Sequence, residues 1–150
     1  MMAAIRPDSW NIALLVHVLG AMVMVGALVL AVVALVGAWR NRSLDGARLG
    51  YRALLWGALP AWVVMRIGAQ WIVDKEGLGN SSLSWVGIGF GTSEGGLLFM
   101  IVATVLAGLA VRRASRGGSL GGGARVAAVL VSLLVAVYVV TIWAMTTKPT

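Results

Sequence analysis

From Ile12 to Ala38 the chain carries no formal charge, and three further apolar stretches follow, at Ala53–Val73, Gly95–Val111 and Val126–Met145. With the first stretch taken as Trp10–Trp39, each is close to or above the roughly 17–25 residues that cross a hydrocarbon core as a helix. In lipid every backbone amide must be satisfied within its own segment, so such stretches are restricted to helices. The chain therefore reads as all-α, a polytopic membrane protein with a four-transmembrane-helix bundle. One domain, 1–150, accounts for all of it. Composition agrees: 60% of positions are hydrophobic and 11% charged, against about 45–50% and about 25% in soluble domains. The first stretch is too long for the apolar region of a signal peptide, about 7–15 residues, and reads as a retained helix.

Charge decides orientation. The net charge is +7, and the arginines fall in two connections: Arg40, Arg42, Arg48 and Arg52 after the first stretch, and Arg112, Arg113, Arg116 and Arg125 between the third and fourth. The outer loop 74–94 carries Asp74, Lys75, Glu76 and Glu94 instead. Lys and Arg excess marks the cytoplasmic side, so both termini lie outside. The arginines are accounted for by topology and by contact with anionic lipid, and no nucleic acid is implied. The partners expected are the lipid bilayer and either a second copy, as a homo-oligomer, or another membrane protein. Ten arginines against two lysines, with much Ala, Val and Gly, point to a high-GC bacterial genome and so to a bacterial inner (plasma) membrane. With no cysteine, thiol redox chemistry and thiolate metal sites are excluded.

Arg66 is the one formally charged side chain inside any of the four stretches. An arginine at the bilayer centre costs between about 2.5 and more than about 10 kcal/mol, so its position calls for a polar environment. At 1.5 Å per residue it lies about 10 Å below Val73. Gln70 follows one turn above on the same face and Asp74 two turns above, while Tyr138 and Thr141 fall at similar depth on the last helix. Glu94 opens the third. With Trp62 on the same segment, these residues assemble a ligand-binding candidate on the outer side: Arg66, Gln70, Asp74, Tyr138, Thr141, Trp62 and Glu94. Pro60, two turns before Arg66, removes a backbone donor and predicts a kink. The competing expectation is that Arg66 snorkels to Gln70, Asp74 or Glu94 and only locks helix packing.

His17 is the only histidine. It stands in a stripe of small residues, Ala13, Gly20, Met24, Ala27, Ala31, Ala34 and Ala38, that lets backbones approach closely. Histidine with methionine can ligate haem iron or copper, which makes His17 and Met24 the metal candidates and haem b the candidate cofactor. A packed, hydrogen-bonded histidine explains the residue equally. The order Gly-Met-Ala-Ala-Ala-Ala of residues 20 to 38 recurs at the same spacings in Gly96, Met100, Ala103, Ala107, Ala110 and Ala114, as a duplicated helical hairpin would give. The run Trp85–Gly91 could fold over the outer mouth, and 117–123 reads as a flexible inner turn. No apolar stretch contains a carboxylate, and paired catalytic carboxylates, a phosphate-binding loop, HExxH and a serine–histidine–acid set are missing.

The segments HVLGAMVMVGALVL at 17–30, PAWVVMRIGAQWIVDKEG at 60–77, WVGIGFGTSEGGLL at 85–98 and YVVTIWAMTTKP at 138–149 resemble an uncharacterised bacterial family of small four-helix integral membrane proteins. The histidine and small-residue run of the first helix are also distantly similar to the copper-resistance D family and the small membrane protoporphyrinogen oxidase family. That resemblance implies metal handling or haem-linked redox work, with His17 as the equivalent position. The residues themselves favour a non-enzymatic membrane protein whose outward-facing pocket around Arg66 binds or passes a small polar or anionic ligand, a transport role. The alternatives are a haem- or quinone-associated redox module using His17, and a structural subunit of a membrane complex.

Overall fold

The computed structural model describes residues 11–76 and 84–147, with the side chains of 11–75, 91–120 and 122–143. Every element among them is helical: α1 (Asn11–Asn41), α2 (Leu44–Arg52), a π-helical segment (Ala53–Ala58), α3 (Leu59–Glu76), α4 (Ser84–Ser115) and α5 (Gly121–Thr147). Three helical segments are long and apolar enough to cross a membrane: Asn11–Asn41, Gly91–Ser115 and Gly122–Trp143. The chain is a bundle in which α1 packs along the α2–π–α3 rod and against α5, and α4 packs on α5 and α2.

The α1–α2 corner is tight. Arg42 takes a left-handed conformation (φ 52°), the Ser43 amide donates to the Ala38 carbonyl at 3.1 Å, and the Ser43 hydroxyl caps α2 by accepting from the Gly46 amide at 3.1 Å. Such a side-chain cap supplies one of the first-turn donors with its partner. Two arginines expected in the connection, Arg48 and Arg52, therefore stand on a helix. At the other inner turn Gly117 has φ 83°, and the Gly118 amide reaches the Arg113 carbonyl at 3.1 Å, closing α4 with a left-handed glycine. The expected flexible turn at 117–123 is shortened, because α5 begins at Gly121.

Pro60 disturbs its helix by a shift of hydrogen-bond frame. The Leu59 amide donates to Leu54, five residues back, the spacing of a π-helix. Pro60 has no amide to give to Trp56, the residue four before it, and its ring crowds that carbonyl. The wider turn accommodates both effects. Beyond it the rod stays against α1 and packs only lightly on α4, whereas its inner half, α2, packs on α4 more fully.

The core is built largely of small residues and a few long ones. Leu28, Ala31, Leu35, Leu54, Ala58, Met100, Ala103, Ala107 and Val131 are fully enclosed, and Met24 lies in the same cluster. The two small-residue stripes are both buried: Gly20, Met24, Ala31 and Ala34 on α1, and Gly96, Met100, Ala107 and Ala110 on α4. Each faces the next helix along the chain. A second, inner cluster joins Ala38, Ala47, Ala110, Leu120 and Ala124, beside which the Arg125 guanidinium stacks 5.1 Å from the Trp39 ring centre, a cation–π contact tying α5 to α1.

The outer connection is shorter than 74–94. Helix α3 continues to Glu76 and α4 begins at Ser84, so 84–94 is helix despite its glycines. Residues 77–83, and the side chains of the Trp85–Gly91 run except Gly91 itself, lie outside the described residues.

Candidate functional site

The half of the α3–α4 seam nearest the connection between the two helices gathers most of the polar side chains picked from the sequence. Along α3, Arg66, Gln70 and Asp74 recur every four residues and so share one face. They form a chain: Arg66 Nη1 donates to Gln70 Oε1 at 3.1 Å, and Gln70 Nε2 donates to Asp74 Oδ1 at 3.0 Å. Across the seam, Arg66 Nη2 reaches Glu94 Oε1 on α4 at 3.3 Å. The arginine side chain is 23% exposed and the glutamate 67%, so the pair sits at the rim with its carboxylate outward.

The early start of α4 revises one expectation. Glu94 does not open that helix but stands ten residues into it, inside the membrane-length segment Gly91–Ser115. An apolar stretch therefore does contain a carboxylate, and its charge is matched by Arg66. Arg66 thus has a partner of opposite sign within reach, the condition under which an ionised side chain in an apolar helix is tolerated.

One turn before Arg66 along α3, the Trp62 indole N–H donates to the Ser93 carbonyl at 3.0 Å, a second bridge between α3 and α4. From α5 the Tyr138 phenol rests on Gly96, where an added Cβ would lie 2.9 Å from the Tyr138 Cζ and would press on its hydroxyl. Ser93 and Gly96 are three residues apart and belong to one helical face. The Tyr138 hydroxyl and the Ser93 hydroxyl are both buried, and neither has a hydrogen-bond partner. Thr141, expected at the site, is buried but turns its hydroxyl back on Val137 of its own helix at 2.9 Å. Gly96 was visible in the sequence only as the head of the second small-residue stripe, and Ser93 carries no signal there that would single it out.

His17 occupies the opposite seam, between α1 and α3. Its Nδ1 lies 3.0 Å from the Met65 carbonyl; a carbonyl only accepts, so Nδ1 carries the proton and Nε2 is left as the acceptor. The helices touch there through backbone. A Cβ on Gly20 would come within 2.6 Å of the Met65 amide nitrogen, and one on Gly68 within 2.6 Å of that of His17. Met24 is enclosed in the core two turns below His17, about 10.5 Å along the axis, so the two candidate ligands stand apart on one helix. His17 Nε2 by itself offers a haem or a metal one ligand. Among the described residues no three His, Asp or Glu side chains come together as a metal-binding group.

No protein-family model matches the chain, and neither a curated protein nor a solved structure is similar to it.

Proposed function

We propose that the chain is a small, non-enzymatic integral membrane protein of four spans, with N- and C-termini outside, and that its outer α3–α4 seam binds or passes a small polar ligand. The observation that carries this is the polar layer inside a membrane-length bundle: the Arg66–Glu94 pair at the rim, with two buried hydroxyls, Ser93 and Tyr138, close by. A layer serving only packing needs no unpartnered hydroxyls, because each one costs about 1–3 kcal/mol of desolvation.

The α2–π–α3 rod is the fourth span of this reading. Its outward face is apolar as far as Trp71: Trp56, Val63, Val64 and Ile67 are exposed, as lipid-facing side chains are. Between Arg52 and Arg66 no charge interrupts it. The arginine-rich ends of all helices then lie together at the inner face of a bacterial plasma membrane. Glu94 also bears on ligand charge, because an anion must compete with it for Arg66.

The test is uptake of glycerol, urea and acetate into vesicles holding the full chain, with a thermal shift by the same solutes as the binding readout. We expect Arg66→Ala to lower glycerol uptake or its thermal shift about tenfold, and Glu94→Gln to raise the response to acetate. Vesicles no more permeable than empty ones, together with no shift by any solute, overturn the reading in favour of a structural subunit.

A second reading rests on His17. A ring whose Nδ1–H is fixed by a carbonyl presents Nε2 in the arrangement of ligating histidines, and a haem held by one His17 from each of two copies follows from it. A Soret band in the purified protein, lost in His17→Ala, is the outcome this reading requires; a colourless protein removes it.

A further inference from the structure

Four hydroxyls in α4 and α5 donate to the carbonyl one turn back: Thr104 to Met100 at 2.7 Å, Ser115 to Val111 at 2.8 Å, Ser132 to Ala128 at 2.8 Å and Thr141 to Val137 at 2.9 Å. That is the default way for a helix in lipid to satisfy a hydroxyl. Ser93 departs from it. Its carbonyl accepts the Trp62 indole, while its hydroxyl, in a residue 8% exposed, has no partner. The Tyr138 hydroxyl, in a residue 5% exposed, has none either and is directed at the same turn of α4. Two O–H donors thus converge on Ser93–Gly96 with no acceptor.

We propose that Ser93 and Tyr138 are the hydrogen-bonding pair of a site for an uncharged, lipid-soluble molecule that presents a carbonyl oxygen, a quinone in chemical class. This rests on the outer-seam reading above and gives the same seam a second, lipid-borne ligand. The ligand is uncharged because Arg66 and Glu94 already neutralise each other at the rim, so an anion displaces Glu94 and a cation displaces Arg66. A carbonyl oxygen suits the pair because each unpartnered hydroxyl has a proton to donate to it. The ligand enters from lipid because α3 packs only lightly on α4, and in that half the Trp62–Ser93 and Arg66–Glu94 bridges span the seam. Release of Ser93 by Trp62 opens the way to the hydroxyls and frees the indole to stack on the ligand ring. No electron transfer is involved in the proposal.

The experiment uses the full chain in lipid nanodiscs with decylubiquinone as probe and dodecane, which lacks oxygen, as control. Thermal unfolding is followed with and without each. The wild type is expected to gain about 3 °C or more with decylubiquinone and nothing with dodecane. Tyr138→Phe keeps the ring on Gly96 and removes the unpartnered hydroxyl, so without ligand it unfolds at the same temperature or higher, and its gain with decylubiquinone is lost. Ser93→Ala behaves alike. A Tyr138→Phe protein that is less stable without ligand shows that the hydroxyl already has a partner and overturns the proposal. So does an equal gain in wild type and both variants, or an equal gain with dodecane. No gain with decylubiquinone, alongside Arg66-dependent solute uptake, rejects this ligand class and leaves the outer-seam reading standing; failure of both rejects both.

Discussion

The two helix pairs α1–α3 and α4–α5 meet in opposite ways at the end where the α3–α4 polar side chains gather. In α1–α3, Gly20 lies on the backbone of Met65 and Gly68 on that of His17, and the His17 ring closes the contact with a bond to the Met65 carbonyl. In α4–α5 the glycine is matched by a side chain: Tyr138 lies over Gly96, with its hydroxyl unpartnered. Backbone-on-backbone contact has two discrete states, packed or parted, because neither chain can yield locally. A phenol on a glycine can swing about χ1 and χ2. The α1–α3 contact is thus the rigid one of the two, and the α4–α5 contact at Gly96 is the one a side-chain rotation can rearrange.

The strongest way to break this comparison is Gly68→Leu. Its Cβ falls 2.6 Å from the His17 amide nitrogen and 2.8 Å from its Cα, so the two helices have to part along their outer halves. Overpacking of a well-packed interior costs about 1–3 kcal/mol and occasionally more, and with backbone on both sides the upper end or beyond is expected. Thermal unfolding in detergent micelles should show a larger loss than Gly96→Ala or His17→Phe. Unfolding within a degree of wild type means that the α1–α3 contact is not rigid.

Gly96→Ala is the matching change in the other hairpin, and its effect is smaller. The obstacle is the far end of the Tyr138 ring, which can turn away at the cost of a displaced rotamer, about 0.5–1.5 kcal/mol. Combining it with Tyr138→Ala should remove most of the incremental penalty, because the added methyl then points into the space left by the ring. A double-mutant cycle on unfolding free energy measures this; strict additivity of the two changes contradicts the phenol-on-glycine contact.

The residues that define the rigid and the plastic halves were unequally legible in the sequence. Arg66, Gln70 and Asp74 follow from spacing alone, since four residues bring side chains onto one helical face, and a charge in an apolar stretch demands such neighbours. The burial of the Gly-Met-Ala stripes was legible for the same reason of period. The π-helical segment was not: Pro60 announces a disturbed helix, but whether the chain kinks or shifts its hydrogen-bond frame depends on what packs beside it. The start of α4 at Ser84 was obscured by glycines of low intrinsic helix propensity. That hid the depth of Glu94 within a helix. Ser93 was missed because its distinction is an absent bond, and the partner of His17 because a backbone carbonyl has no residue-type signature.

His17→Phe sharpens the first hairpin on a finer scale. The ring keeps its bulk while the bond to Met65 is lost, and a part-buried hydrogen bond contributes about 0.5–1.5 kcal/mol. The freed carbonyl still accepts along its own helix, which keeps the loss toward the lower figure. A shift of that size in unfolding free energy, with the helical circular dichroism unchanged, is the expected result. An equal or larger loss than for Gly68→Leu would make the histidine, and not the glycine pair, the element that holds α1 on α3.

The smallest effect is expected at the rim, from the coupling between Arg66 and Glu94. The two side chains contact at 3.3 Å, but the glutamate is 67% exposed, and exposed ion pairs contribute only about 0–1 kcal/mol. Arg66→Gln leaves Glu94 exposed and Gln70 still bonded to Asp74, and Glu94→Gln leaves Arg66 part-exposed and bonded to Gln70, so neither single change strands a fully buried charge. A cycle of Arg66→Gln, Glu94→Gln and the double variant should therefore give a coupling below about 1 kcal/mol, falling further in high salt as screening shortens its reach. A coupling of several kcal/mol, insensitive to salt, would place the pair in the low-dielectric interior. The α3–α4 seam would then be as rigid as the α1–α3 contact, and the contrast between the two halves would fail.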